Sequence, residues 1–515
     1  MKPSFNRRDF LKLSAAVSAV SLLNTSPWSR ALEVSRAQAD QPNVIILLFD
    51  AMSAANLSLY GYNRQTTPNL DKWSQRATVY HAHHSAGNFT TPSTASLFTG
   101  TYPWTHRAFA LSSLVAASAA DKNIFQLLES AFYQWAFAQN PHADLLLYQF
   151  EDYINRHDKL DMDSIIQKSF YNNFFVNDAI YGFKSFDDFL FKQDEVHGSL
   201  FYSFFHDLNV NLRHSALTHQ LSSVYPDGLP HPSDLDVYFI TRQFFDGIIQ
   251  RMQGISTPTF AYLHFFPPHG PYSPTRQYMS LFDDGWSPPV KKRHPLATNL
   301  SAKRLDNARQ EYDQYIANID VELGRLLDSM QETGLLDNSY VFITADHGEL
   351  FERGVLGHFT PLMFEPLINI PLVVFQPGDT HRTDIYTNTS NVDLLPTLLH
   401  LSGQPVPAWC EGQLLPALGG VEEAGRSIYC LDAKKTPSQA PVEKGSLALL
   451  KDDLKLVSYF GYEKYQAYEL YDLENDPQEL ENLYPNHPAS QQLQAELDAK
   501  LEQVNQPYLR TQDSG

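Results

Sequence analysis

Cysteine is scarce in this chain, which has only Cys410 and Cys430 among its 515 residues. Two cysteines can form one disulfide, but they specify neither a disulfide framework nor a cysteine-rich zinc site.

Positively charged residues are also few, because the chain has 38 lysines and arginines against 58 acidic residues, which gives a net charge of −20. This balance argues against binding to nucleic acid or to anionic membranes, since both need a basic surface.

Long apolar runs are missing as well. After the N-terminal region, no stretch reaches the length of about 18 apolar residues that a membrane span needs, so we expect no transmembrane segment in the mature chain. Residues 1–39 read as an export signal instead: Arg7 and Arg8 precede a modest apolar stretch, and Ala37-Gln38-Ala39 closes it. This order is typical of a twin-arginine signal.

Export has consequences for charge and location. The signal carries six basic and two acidic residues, so residues 40–515 carry a net charge of −24. The twin-arginine pattern predicts the export machinery as a partner and a periplasmic or secreted location.

Short apolar runs without alternating polar residues indicate buried strands of a parallel sheet. Helical patterns such as residues 302–332 separate them, and this alternation predicts a doubly wound, mostly parallel α/β fold with helices on both faces. The runs cover residues 44–49, 260–266, 340–344 and 372–375.

Composition divides the chain further. We predict an α/β catalytic domain over residues 40–440, in which the aromatic-rich residues 125–250 form a mostly helical insertion covering the site. Proline and glycine cluster over residues 403–440. We expect a small α+β subdomain to follow at residues 441–515, with a last helix over residues 489–504.

Polar residues follow three of the predicted strands. Asp50 comes directly after the first run, Asp346 and His347 follow the third, and His269 lies in the loop after the second. Because the carboxyl ends of parallel strands meet at one edge of a sheet, we expect these side chains to lie together. Asp and His are ligands for zinc, manganese, calcium or magnesium. An aspartate after a strand more often caps a helix, and this alternative stays open for each residue alone.

A threonine-rich segment supplies a hydroxyl group. Pro92 fits the first position of a helix with Thr91 as its cap, and Gly100 fits its end. Thr90 would then lie at a helix N-terminus, which favours anions, and a metal-bound hydroxyl there can act as a nucleophile. The alternative is that Thr90 and Thr91 only cap the helix.

Six segments in order resemble the sulfatase family of the alkaline phosphatase superfamily. The resemblance extends from about residue 41 to the end of the chain, and six ordered matches make chance an unlikely cause. The segments are residues 42–71, 90–106, 266–271, 346–372, 393–397 and 469–483.

The resemblance implies a divalent metal ion with ligands at Asp50, Asp346 and His347. It implies the nucleophile at Thr90, which would also contact the metal. Most members of the family have a second aspartate after the first strand, and this chain has Ala51 there.

The resemblance also implies roles for His269 and His358. Both match positions that bind the transferred group, protonate the leaving oxygen or hold a second metal ion. In sulfatases a lysine usually stands near the position of His358, so the histidine favours two-metal phosphoryl chemistry.

The nucleophile position departs from that of sulfatases, which convert Cys or Ser to formylglycine within a motif that ends in arginine. Here Thr90 occupies the first position and Thr94 the arginine position. Threonine cannot form the aldehyde hydrate that expels sulfate, whereas a phosphorylated threonine can be attacked in line. We therefore expect a hydrolase of small anionic phosphate mono- or diesters that works through a covalent Thr90 intermediate. The alternatives are a sulfuric ester hydrolase, a phosphotransferase that moves a headgroup, and a non-catalytic family member.

Overall fold

The computed structural model describes residues 41–165, 212, 214–232, 237–256 and 258–509. The predicted export signal lies outside the described residues, as does most of the aromatic-rich stretch between residues 166 and 236. Among the described residues, no helix combines the length and apolar character that crossing a bilayer requires.

Strands and helices alternate along the described chain. The strands are β1 Asn43–Phe49, β2 Thr78–Tyr80, β3 His83–His84, β4 Tyr133–Ala138, β5 Arg156–Asp158, β6 Thr259–Phe265, β7 Ser339–Thr344, β8 Phe351–Glu352, β9 Val355–Leu356, β10 Leu372–Phe375, β11 Thr383–Ile385, β12 Thr389–Ser390, β13 Ser427–Asp432, β14 Gly445–Lys451, β15 Leu454–Phe460 and β16 Ala467–Asp472. The α-helices with described bounds are α1 Pro68–Trp73, α2 Thr90–Thr99, α3 Pro103–His106, α4 Ile124–Leu128, α5 Pro141–Gln149, α6 Thr241–Met252, α7 Ala302–Glu332, α8 Glu365–Ile368, α9 Leu394–Leu401 and α10 Ser490–Leu509.

The central sheet has eight strands in the order β11-β2-β10-β7-β1-β6-β4-β5. The predicted doubly wound α/β fold is confirmed, and each of the four predicted strands is present. Strand β10 is antiparallel to both of its neighbours, so its predicted parallel direction was wrong. An apolar run indicates that both faces of a strand are buried, but it does not indicate whether the strand is parallel or antiparallel to its neighbours.

Both faces of the sheet are covered. On β1, Ile45 and Leu47 pack into a cluster that includes α6 and α7. Val44 and Ile46 point to the opposite cluster, which includes α2, α4 and α9. Full burial of such a side chain contributes about 1.5–3 kcal/mol, so the strands that carry the site form a rigid base.

Residues 125–165 contribute two strands to the central sheet. Strands β4 and β5 pair with each other, and β4 pairs with β6. The predicted helical insertion over residues 125–250 was therefore wrong in this part. The aromatic residues that prompted it are also good strand formers, as in the Tyr133–Ala138 strand.

The C-terminal part forms a four-stranded antiparallel sheet, β13-β14-β15-β16, against which α10 packs. Its first strand, Ser427–Asp432, lies upstream of residue 441, where the sequence placed the start of the subdomain. The last helix begins one residue after the predicted position 489 and continues to Leu509. Cys410 and Cys430 are both unpaired.

A buried lysine joins this small sheet to the larger domain. The Lys455 ammonium on β15 is fully buried, lies 2.8 Å from Glu365 on α8 and also pairs with Glu479. Burial raises the pKa of the Glu365 carboxyl, but Lys455 and His84 outweigh burial and hold that pKa below its ordinary value. Glu365 is therefore a carboxylate that depends on Lys455.

We expect Lys455→Met to lower the free energy of unfolding by about 3–5 kcal/mol, because it leaves two buried carboxylates without their cation. Denaturant unfolding measures this change. The matched control is Lys451→Met, since Lys451 forms a half-exposed pair with Glu496 at 2.9 Å, and such pairs contribute about 0–1 kcal/mol. Equal effects of the two substitutions would contradict the structural role of Lys455.

Candidate active site

The ends of two neighbouring strands create the site. Strands β1 and β7 pair in register up to Leu48 and Thr344, so the residues that follow them lie level with each other. The candidate ligand atoms of the buried residues Asp50, Asp346 and His347 all lie within 4.8 Å of one another. The structure thus brings together the three residues that the sequence predicts as metal ligands.

Thr90 joins this group. The Nε2 atom of His347 lies 3.5 Å from Asp50 Oδ1 and 3.5 Å from Asp346 Oδ2. The Thr90 hydroxyl oxygen lies 3.4 Å from the same Nε2 atom. The Thr90 oxygen therefore lies beside the same His347 nitrogen atom that the two carboxylates approach.

The donor set fits a divalent metal ion. Asp50 Oδ1 and Asp346 Oδ2 are buried and have no hydrogen-bond partner within the described ranges. Buried polar atoms are normally paired, and two adjacent carboxylates need a positive charge between them. His347 Nδ1 lies 2.9 Å from the Gly348 carbonyl oxygen, which leaves Nε2 free to face the carboxylates.

Backbone contacts hold the two strand ends together. The Ala51 amide donates to Asp346 Oδ1 at 3.2 Å, and the Ala51 carbonyl accepts from the Tyr312 hydroxyl at 2.6 Å. Ala51 has a left-handed φ of 58°. Ala51 thus contributes its main chain, and not its side chain, to the contacts at the strand ends. Gly348 lies against α8, where an added Cβ would be 2.1 Å from the Pro366 carbonyl oxygen.

Helix α2 positions Thr90. It begins at Thr90 with Phe89 as the preceding cap residue, and Gly100 ends it with a φ of 59°. The predicted start at Pro92 was wrong, because Pro92 is the third residue of the helix. A proline is accepted there, since the first four helical N–H groups have no partner within the helix.

The same helix is fixed to the strand end that carries Asp346. The Ser93 hydroxyl donates to the carbonyl oxygen of Asp346. Asn391 donates from Nδ2 to the Ser93 hydroxyl at 2.9 Å and to the Ser93 carbonyl at 3.1 Å. These bonds fix the position of Thr90 relative to the carboxylates.

Two further side chains in the site were missed by sequence reasoning. Asn140 donates from Nδ2 to Asp50 Oδ2 at 2.6 Å and to the Thr90 hydroxyl at 3.2 Å. His264 Nε2 lies 3.3 Å from Asp50 Oδ2 and 4.0 Å from Asp346 Oδ2. Asn140 follows β4 closely, as Asp50 follows β1, so recognition of β4 as a strand would have pointed to it. His264 is a histidine within a buried apolar strand, which is unusual in itself.

Both predicted histidines lie beside the cluster. The His358 ring centroid is 4.3 Å from that of His347 and 4.9 Å from that of His269. His358 Nδ1 lies 3.1 Å from Glu349 Oε1. Glu349 is fully buried, and this burial raises the pKa of its carboxyl to about 7.

The two histidines differ in charge preference. Burial lowers the pKa of His269, but Asp50 and Glu349 outweigh burial and raise that pKa above its ordinary value. Burial lowers the pKa of His358, and the neighbouring His347 and His269 lower it further. His269 therefore favours the protonated form and His358 the neutral form.

A lysine reaches the site from the segment after β13. Lys434 donates from Nζ to the Thr360 carbonyl at 3.1 Å and lies 5.3 Å from the Phe89 ring centroid. Its charge contributes to the lowered pKa of His358. Phe359, beside it, is 56% exposed, so this corner of the site faces solvent.

The fold and these contacts define a doubly wound α/β protein with a candidate metal centre at the carboxyl ends of the sheet strands. The family model for sulfatases matches residues 42–404, and the model for the C-terminal region of N-sulphoglucosamine sulphohydrolase matches residues 354–507. The chain belongs to the sulfatase family.

Individual relatives agree with this assignment. The choline-sulfatase of Rhizobium meliloti is 30% identical over 247 residues, which are 43% of this chain and 45% of that protein. The N-acetylglucosamine-6-O-sulfatase of Bacteroides thetaiotaomicron is 22% identical and covers 92% of this chain and 88% of that protein. The solved phosphonate monoester hydrolase of Agrobacterium radiobacter shares the fold, with a TM-score of 0.63 at 18% identity, covering 91% of this chain and 96% of that one.

We expect the purified protein to retain about one divalent ion per chain, and Asp346→Asn to lower this content strongly, because metal ligands must be deprotonated oxygen or nitrogen atoms. Elemental analysis after dialysis measures the content. Asp144→Asn is the matched control, since Asp144 is also buried but pairs with His157 at 2.8 Å outside the cluster. Equal metal content in the wild type and Asp346→Asn would contradict the site.

Proposed function

We propose that the protein is a metal-dependent hydrolase of an anionic ester in which the Thr90 hydroxyl is the nucleophile. The observation that carries the proposal is the position of Thr90. Its oxygen lies 3.4 Å from His347 Nε2, at the start of helix α2 and beside two unpartnered carboxylate oxygens. A hydroxyl group placed there meets both a cation site and the positive end of a helix.

The cation site and the side chains around it each have a role in the proposed reaction. Asp50, Asp346 and His347 would hold the divalent ion, whose charge stabilises the ionised hydroxyl and the ester oxygens. Asn140, which donates to both Asp50 and Thr90, orients the Thr90 oxygen toward the reacting centre. His269, with its raised pKa, protonates the leaving oxygen. His358 is held by Glu349 and lies beside His269.

Relatives support a sulfuric ester as the leading substrate class. Matching proteins are named as sulfatases, and the relative with the broader coverage is named for a sulfated sugar, N-acetylglucosamine 6-sulfate. We therefore infer a sulfated sugar as the substrate. The expected phosphate ester has no support among these relatives.

The phosphate ester stays a second candidate because of one residue. Thr90 cannot become an aldehyde hydrate, so a sulfate on its oxygen would leave only when water attacks sulfur. We therefore expect a sulfate adduct on Thr90 to accumulate during turnover, whereas a phosphate adduct would be attacked more readily in line. Mass spectrometry of the peptide that contains Thr90 separates the two adducts by accurate mass.

A parallel assay decides the ester class. Aryl sulfate, aryl phosphate monoester and aryl phosphodiester are offered to the enzyme loaded in turn with zinc, manganese, calcium or magnesium. We expect multiple turnover of the sulfate ester above that of both phosphate esters. Turnover of the phosphate esters alone would show that the enzyme cleaves phosphate esters and not sulfate esters. The proposed role of Thr90 as the nucleophile would stay unchanged.

Thr90→Ala should lower turnover of the preferred ester by a factor of about 10⁴ or more, because loss of a nucleophile removes the covalent path. Thr91→Ala is the matched control, since Thr91 is the next residue of the same helix, is buried, and has a hydroxyl without a partner in the described chain. Thermal unfolding of both variants checks the fold. Loss of activity in Thr91→Ala with retention in Thr90→Ala would overturn the assignment.

A further inference from the structure

One cavity is strongly basic in a protein whose net charge is −20. It lies between the β8–β9 hairpin and the start of helix α7 and has a volume of about 430 Å³. Two acidic side chains, Asp306 and Glu352, also line it. The basic residues that line it are Lys291, Arg293, Lys303, Arg309 and Arg353.

Three of these cations are not neutralised by a carboxylate. Arg309 is only 8% exposed, yet its guanidinium donates to the neutral carbonyl of Phe351 at 2.8 Å and has no ion pair in the described part of the chain. Arg293 donates to the neutral Asn299 Oδ1 at 2.6 Å. Lys303 is exposed, and its ammonium has no hydrogen-bond or ion-pair partner among the residues that the structure describes.

The two remaining cations share one carboxylate. Glu352 pairs with Lys291 at 2.8 Å and with Arg353 at 3.2 Å. Asp306 accepts a hydrogen bond from the Ser287 hydroxyl at 2.5 Å. A buried guanidinium such as that of Arg309 is costly without a counter-charge, so the cavity is complementary to an oxyanion.

A second cavity lies next to the basic cavity and extends toward the active site. Lys303 also lines this second cavity of about 480 Å³, together with Arg304, Tyr272 and Leu356. The Tyr272 hydroxyl donates to Glu349 Oε2 at 3.4 Å, and Glu349 in turn contacts His358. The second cavity therefore shares Lys303 with the basic cavity, and its lining residue Tyr272 contacts the residues around the reacting centre.

We propose that Lys303, Arg293 and Arg309 form a second anion-binding site, which holds an anionic group of the substrate other than the ester that is cleaved. The inference rests on the proposed function for its link to catalysis. It narrows the substrate class to sugars with at least two anionic groups, such as sulfates, carboxylates or phosphates. The guanidinium and ammonium groups recognise the oxyanion that these groups share.

Kinetics on matched substrates test the site. A sugar monosulfate and the same sugar with two sulfates are compared in the wild type, Lys303→Glu and Arg293→Glu. We expect each substitution to raise KM for the disulfate about tenfold, the loss of one charge-assisted contact. Both replaced side chains are exposed, so the fold and the monosulfate kinetics should stay unchanged. Lys72→Glu is the control, because Lys72 is an exposed lysine on α1, away from both cavities.

A binding measurement separates this inference from the proposed function. Titration of the metal-loaded Thr90→Ala protein with a heparin oligosaccharide does not require turnover. We expect binding that weakens with salt and falls about tenfold in Lys303→Glu but not in Lys72→Glu. This result would stand even if Thr90 were not the nucleophile.

Two outcomes would overturn the second site. One is an unchanged KM for the disulfate in both charge-reversal variants together with unchanged heparin binding in Lys303→Glu. The other is a change in monosulfate turnover on addition of inorganic sulfate that disappears in Lys303→Glu, since this would assign the cavity to a free anion.

Discussion

Two carboxylates face each other at the ends of neighbouring strands, in a part of the protein that is fully buried. Asp50 and Asp346 are brought together by the pairing of β1 with β7, which both core clusters support. Burial and the proximity of Asp50 raise the pKa of Asp346. Burial also raises the pKa of Asp50, but His269, His264 and His347 outweigh it and lower that pKa. Such a pair is stable only with a positive charge between its members, and the rest of the site is arranged around this requirement.

The surrounding contacts place this positive charge next to the hydroxyl group that reacts. Asn140 donates to one oxygen of Asp50, beside which His264 lies, while the amides of Ala51 and His347 donate to one oxygen of Asp346. One oxygen of each carboxylate is left to face His347 and Thr90. The bonds from Asn391 to Ser93 and from Ser93 to Asp346 then fix helix α2, so that its first hydroxyl meets the cation site. The residues that stabilise the buried charges are thus also those that position the reacting oxygen.

The elements that the sequence predicts correctly are those whose local residue pattern matches their position in the folded protein. Helix α7 has the predicted bounds, because its apolar residues repeat at helical spacing over 31 residues. Asp50 and Asp346 are recognisable because each follows a run of buried residues without a break. The direction of β10 and the place of β4 in the sheet depend on strand pairing, which a single segment does not encode. Lys434 escapes prediction for the same reason, since only the folded chain brings it to the site, and Asn140 was missed because β4 was not recognised as a strand.

Anomalous diffraction from crystals grown with manganese or zinc tests the central claim most directly, because it locates the cation without reference to any substrate. The account predicts one strong peak about 2.0–2.5 Å from oxygen atoms of Asp50 and Asp346 and from His347 Nε2, with the Thr90 oxygen on the same side. A peak that lies away from these residues, or density for water alone between the two carboxylates at full metal loading, would contradict it.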